Sequence, residues 1–222
     1  MAVTPAPNPS ARLRLILWAV VALVGLGAAV GLLVLRSSAR PASSPQAPDA
    51  SGPAATWALG VRRAPGFRLT DQHGKPVSLA AYRGRPVIVT FIDPLCRDYC
   101  PLEAKVLNEV VAGFPASTRP AILAVSANPY GNDRQNLYLD IRKWRLTPEW
   151  RWAVGTAPRL AAVWKDYGVQ VLVTTKKIAG ITARRVAHTE AAYVVDPSGH
   201  ERALYLWPFR AREVVQTLRQ LR

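Results

Sequence analysis

Cysteine is almost missing from this chain. Its 222 residues include two, so at most one internal disulfide can form. Both fall in one short run, FIDPLCRDYCPLEAKVL (residues 91–107), as Cys96 and Cys100. Acidic residues are also scarce: 14 Asp and Glu stand against 29 Lys and Arg, a formal net charge of +15. Such an excess suggests nucleic acid, but the basic residues are scattered. The tightest groups are pairs, Arg62-Arg63, Lys176-Lys177 and Arg184-Arg185, and no nucleic-acid motif accompanies them. No nucleic-acid partner is expected. The charge reads as a solvated basic surface, with anionic lipid headgroups or an acidic protein as the next candidates. No internal repeat is present.

One long apolar run stands out. LILWAVVALVGLGAAVGLLVL (residues 15–35) is uncharged and about as long as the roughly 20 residues a membrane-spanning helix needs. Arg12 and Arg14 precede it in a tail without acidic residues, which puts residues 1–14 in the cytoplasm and the rest of the chain outside. The run is longer than the apolar core of a cleaved signal peptide, about 7 to 15 residues, and a retained signal anchor is the expectation. No cysteine follows it directly, which excludes a lipoprotein anchor. Residues 36–56, rich in Pro, Ser and Ala, cannot build a core and read as a tether reaching on the order of 25 Å. Residues 57–222 are long enough for one domain with its own core. The expected protein is therefore single-pass in the cell membrane, with an extracytoplasmic C-terminal domain.

Within that domain, FRLT and PVSL flank the turn DQHGK and predict a hairpin over 67–79. PVIVTFI (86–92) and AILAVSA (121–127) are continuous apolar runs of the kind found in buried strands. After Pro101, the residues Leu102, Val106, Val110 and Phe114 recur at helical spacing, so the cysteine turn joins a strand to a helix. Further helices are predicted over 132–144, around Leu160, Val163, Trp164 and Tyr167, and from Ala211 to Leu221. AAYVVD and RALYLW form two more strands about the turn PSGH, and Thr174–Ala187 reads as a long irregular segment. The order implies an α/β sandwich with the cysteines at the C-terminal end of a central strand, the edge at which open α/β sheets place their chemistry.

The spacing of the cysteines limits their use. A disulfide closing so short a ring contributes little as a staple, because the stabilisation grows with loop length. Pro101, favoured at a first helical position, places Cys100 at or near the N-cap, where free N–H groups and the helix dipole lower a thiol pKa. Such a pair can act as a redox couple or bind a soft metal. Of the three histidines, His73 and His200 sit beside glycines in predicted turns and are expected to face solvent. His188 lies just before a buried strand.

These features together, GFRLTDQHGKPVSLAAYRGRPVIVTFIDPLCRDYCPLEAKVLNEV, WRWAVGTAPRLAAVWKDYGV and VAHTEAAYVVDPSGHERALY, resemble the SCO/SenC family over residues 66 to about 221. The resemblance implies a thioredoxin-like domain with an N-terminal hairpin, preceded by one transmembrane helix. It further implies copper, Cu(I) or Cu(II), held by Cys96, Cys100 and His188. The expected role is delivery of copper to the dinuclear site of cytochrome c oxidase subunit II or to another cuproprotein. Soft thiolates select Cu(I) and imidazole accepts both states. Met1 is the only methionine, so a Met-rich copper site is excluded. A structural zinc site normally takes four ligands.

The chain departs from the family pattern around the first cysteine, at Asp93, Pro94 and Arg97, and at Asn128, where the family commonly has a carboxylate. Asp93 or Asp98 is expected to substitute for it electrostatically. The alternative role is a thiol-disulfide reductase using Cys96 and Cys100 as a redox pair. A peroxidase is disfavoured, because Asp93 occupies the place of the threonine that peroxiredoxins carry before their reactive cysteine.

Overall fold

The computed structural model describes residues 52–221, together with Trp18, Ala22 and Leu23 of the N-terminal stretch. Apart from those three residues, the expected anchor at 15–35 lies outside the described residues, as do residues 1–14 and 36–51. Among the described residues, no helix is long and apolar enough to cross a membrane.

The strands are β1 (Ala55–Thr56), β2 (Arg68–Thr70), β3 (Pro76–Ser78), β4 (Val87–Ile92), β5 (Ala121–Ser126), β6 (Trp150–Ala153), β7 (Val171–Ile178), β8 (Ile181–His188), β9 (Ala191–Val195) and β10 (Glu201–Leu206). The helices are α1 (Tyr99–Ala112), α2 (Arg134–Lys143), α3 (Ala157–Asp166) and α4 (Ala211–Arg219). One mixed sheet runs in the order β1-β10-β9-β4-β5-β6. β4 is central, parallel to β5 on one side and antiparallel to β9 on the other. The sheet begins inside the expected tether, because Ala55 and Thr56 pair with Leu204 and Ala203.

Every residue of β4 and β5 is buried, which explains why these strands read as continuous apolar runs instead of alternating ones. Alternation is still present in space. Ile88 and Ile92 pack under α1 and α4, with Leu107, Val110, Val214 and Leu218. Val87, Val89 and Phe91 face the β2–β3 hairpin and α3, with Leu69, Val77, Leu160 and Tyr167. The result is a sandwich with the sheet between two layers, as expected, and the N-terminal hairpin pairs Leu69 with Val77 in antiparallel register.

Two local expectations are corrected. Residues 174–187 are not irregular: they form most of the antiparallel hairpin β7–β8, with Val171 opposite His188 and Ile178 opposite Ile181. Its two-residue turn, Ala179 and Gly180, has φ of 47° and 80°, the left-handed geometry that matches strand twist in tight hairpins. Helix α1 starts two residues before Pro101, with Asp98 at the N-cap and Cys100 inside the first turn. Its buried face is Cys100, Glu103, Ala104, Leu107, Val110 and Val111. Leu102, expected in the buried stripe, is exposed.

Candidate metal and redox site

The antiparallel register of β4 and β9 brings three segments together. Thr90 of β4 lies opposite Ala192 of β9, so the residues leading into β9 meet those leaving β4. Those incoming residues are His188, at the end of β8, and Glu190. The outgoing ones form the turn from Asp93 to Cys100. Together they surround one open cavity of about 410 Å³, whose outer wall carries Arg184 and Arg185.

Cys96 is half-buried, Cys100 is fully buried, and both are free thiols. The Cys100 backbone N–H points at the Cys96 Sγ at 3.5 Å. Hydrogen bonding from the Cys100 thiol, followed by backbone N–H groups of Cys100, Asp98 and Tyr99, outweighs burial and pushes the Cys96 pKa down to about 5. The same contact and burial push Cys100 up. The Cys100 thiol and the helix N–H groups therefore favour one thiolate, at Cys96, while that same contact and burial keep Cys100 protonated in the metal-free protein.

Cys100 Sγ lies 3.8 Å from His188 Nε2. His188 Nδ1 is 3.1 Å from the Thr189 carbonyl. A carbonyl only accepts, so Nδ1 carries the proton and the Nε2 lone pair faces the sulfur, the orientation a metal-ligating imidazole needs. The hairpin is what delivers it: Thr189 N–H donates to the Gln170 carbonyl at 2.9 Å, which fixes the end of β8. Cys96 and His188 thus line the cavity and Cys100 lies buried against His188, but His188 stands outside the tighter group that the two sulfurs form with Glu190.

A fourth group was missed by sequence reasoning. Ligand atoms of Cys96, Cys100 and Glu190 all lie within 4.8 Å of one another. Donors bound to one ion at about 2.3 Å are at most about 4.6 Å apart, so the set fits a single soft metal after a small closure. Burial, then the Cys96 charge, raise the Glu190 pKa to about 7. The one available signal was its place two residues past His188, as a lone charge at the mouth of a buried strand.

Beneath the thiols, Glu103 is completely buried, and burial is the main cause that lifts its pKa to about 8. Its carboxyl group bonds Thr90 Oγ1, which also lies 3.1 Å from the Ala191 carbonyl. Thr90 has one proton and the carbonyl only accepts. The hydroxyl therefore donates to Ala191, and Glu103, protonated, donates to Thr90.

Of the two carboxylates expected to substitute electrostatically for the missing one, Asp93 lies against residue 128 itself. Asp93 Oδ1 accepts from Asn128 Nδ2 at 2.9 Å and from Leu95 N–H at 2.7 Å. Two departures from the family pattern are thus one pair: with Asp at 93, a carboxylate at 128 would repel it, and Asn donates instead. Arg97 donates to the carbonyls of Pro94 and Cys96 at 3.1 and 2.8 Å and pairs with Asp140 at 3.3 Å, tying the turn to α2. Asp98 is exposed and caps nothing with its side chain. His73 and His200 sit elsewhere, bonded to Tyr138 and Ser198.

Residues 60–222 match the SCO1/SenC family. The chain belongs to that family. Among solved structures, Bradyrhizobium japonicum ScoI with copper bound is 20% identical, with a TM-score of 0.62 over 72% of this chain and 99% of that one. Yeast Sco1 is 19% identical, with a TM-score of 0.62 over 71% and 96%. The thioredoxin domain of a thiol-disulfide oxidoreductase from Bacteroides vulgatus is 21% identical, with a TM-score of 0.53 over 75% and 96%. No curated protein matches the sequence. At these identities the structural likeness establishes the fold, which is thioredoxin-like as expected.

Proposed function

We propose that this SCO1/SenC protein is a membrane-anchored copper carrier. It holds the ion between Cys96, Cys100 and His188 outside the cytoplasm and passes it to the dinuclear site of cytochrome c oxidase subunit II or to another cuproprotein. The single observation that carries this reading is the approach of His188 Nε2 to Cys100 Sγ, 3.8 Å, with Nδ1 already committed to a carbonyl. Disulfide exchange requires no imidazole there, whereas a copper site that accepts both oxidation states gains from one. Copper in the Bradyrhizobium japonicum relative supports the same choice of metal. The apolar run at 15–35 supplies the anchor, and the arginines before it, in a tail without acidic residues, set the orientation.

A second reading rests on the split between the two sulfurs. The Cys96 thiolate, held near a pKa of about 5, is the attacking group for a partner's disulfide. Its sulfur bonds one partner sulfur and releases the other as a thiolate. Cys100, once deprotonated, then displaces the partner, which leaves as a dithiol while a Cys96–Cys100 disulfide forms.

Mixing the Cu(I)-loaded protein with a metal-free, reduced soluble domain of oxidase subunit II separates the two. The carrier reading expects copper to leave this protein and the acceptor's dinuclear-site absorbance to appear upon oxidation. Retention of copper, together with reduction of a disulfide-form acceptor by the metal-free protein, would overturn it in favour of the reductase.

A further inference from the structure

We propose that Glu190 is a fourth ligand, joining the two sulfurs and the imidazole in a site that favours the oxidised state of the bound copper. The inference rests on the copper reading above and extends it to a residue that the ligand set Cys96, Cys100 and His188 leaves out.

Four observations converge. Glu190 presents a carboxylate oxygen within 4.8 Å of both sulfurs. Its Oε2 is buried and has no hydrogen-bond partner, an arrangement that costs on the order of 1–3 kcal/mol for a polar atom and is relieved when a cation binds. Its backbone is fixed, because Trp207 N–H donates to its carbonyl at 3.1 Å. The neighbouring carboxylates are engaged or turned away: Asp93 is held by Asn128 and Leu95, Glu103 by Thr90 beneath the cavity, and Asp98 is exposed.

The donor chemistry then gives the direction. Two sulfurs and one imidazole satisfy Cu(I), a soft ion. A carboxylate is a hard donor that adds little to Cu(I) but completes the four-coordinate set Cu(II) prefers. Glu190 enters from the β8–β9 junction, and so supplies from this chain's own strand junction the negative charge absent at position 128.

The test is Glu190→Gln, which keeps size and shape, examined in the full protein with Cu(I) and Cu(II) in turn against competing chelators. The expected result is a Cu(II) affinity lowered on the order of tenfold to a hundredfold, as when groups supporting a metal are lost, with Cu(I) affinity nearly unchanged. The reduction potential of bound copper then rises by ~59–118 mV at 59 mV per decade, and the Cu(II) electron paramagnetic resonance spectrum changes its parallel hyperfine splitting. Equal Cu(II) affinity, potential and spectrum in parent and variant would overturn the proposal while leaving the three-ligand site standing. An equal loss for both oxidation states would overturn the selectivity. Failure of the parent to bind either ion would remove the copper reading itself.

Discussion

Cys96→Ser leaves the domain folded and lowers its affinity for Cu(I) by on the order of a thousandfold, about 4 kcal/mol at 1.4 kcal/mol per decade. The fold survives because Cys96 is only half-buried and sits at a turn held independently by Asp93, Asn128 and Arg97. Copper binding does not survive, because Cys96 is the thiolate already formed in the metal-free protein. A serine hydroxyl is neither soft nor ionised near neutrality. Competition with a chelator measures the loss, and far-ultraviolet circular dichroism checks the fold. Unchanged Cu(I) affinity in a folded Cys96→Ser protein would place the metal elsewhere.

Glu103→Gln has the second large effect, and it appears in stability against pH. The folded-state pKa of Glu103, about 8, lies above the ordinary value of 4.5. Below the ordinary value the group is neutral in both states and burial carries no charge penalty. Between the two values the unfolded chain ionises while the folded one does not, so stability falls as pH rises, by about 1.4 kcal/mol per unit. Above the folded value the whole penalty is present, on the order of several kcal/mol. Glutamine keeps a donor for Thr90 and removes the titration. Urea unfolding at pH 5 and pH 8 should therefore give a variant more stable than the parent at pH 8 and close to it at pH 5. Cys96 contributes with the opposite sign, its lowered pKa favouring the folded state as pH rises, and the difference between parent and variant reports Glu103 together with its coupling to Cys96 and Glu190. A parent and variant that track each other across this range would mean that Glu103 is ionised in the fold.

The sequence revealed most where side-chain periodicity and burial coincide. β4, β5 and the amphipathic helix α4 are bounded by polar or proline residues and packed on predictable faces, so their apolar patterns translate directly into the sheet and its covering layer. The hairpin β7–β8 escaped because both of its faces meet solvent: Leu172 and Ile181 are as exposed as its lysines and arginines, and no alternation marks it. The start of α1 escaped for another reason. Pro101 is compatible with any position in the first turn, so it does not specify how far upstream the helix begins. The candidate ligands Cys96, Cys100 and His188 were legible from residue type, order and resemblance. Glu190 was not, since its approach to the sulfurs depends on the antiparallel register of β9 against β4. The partnership of Asp93 with Asn128 is likewise a contact between two strand ends that no local pattern encodes.

The most direct measurement is an anaerobic titration of the reduced protein with Cu(I) against a competing chelator, run in parallel on the parent and on His188→Ala. The account expects one copper per chain bound tightly by the parent and much more weakly by the variant, with both proteins folded. Equal and weak binding by the two would contradict a copper site built from Cys96, Cys100 and His188 and leave the two cysteines as a redox pair.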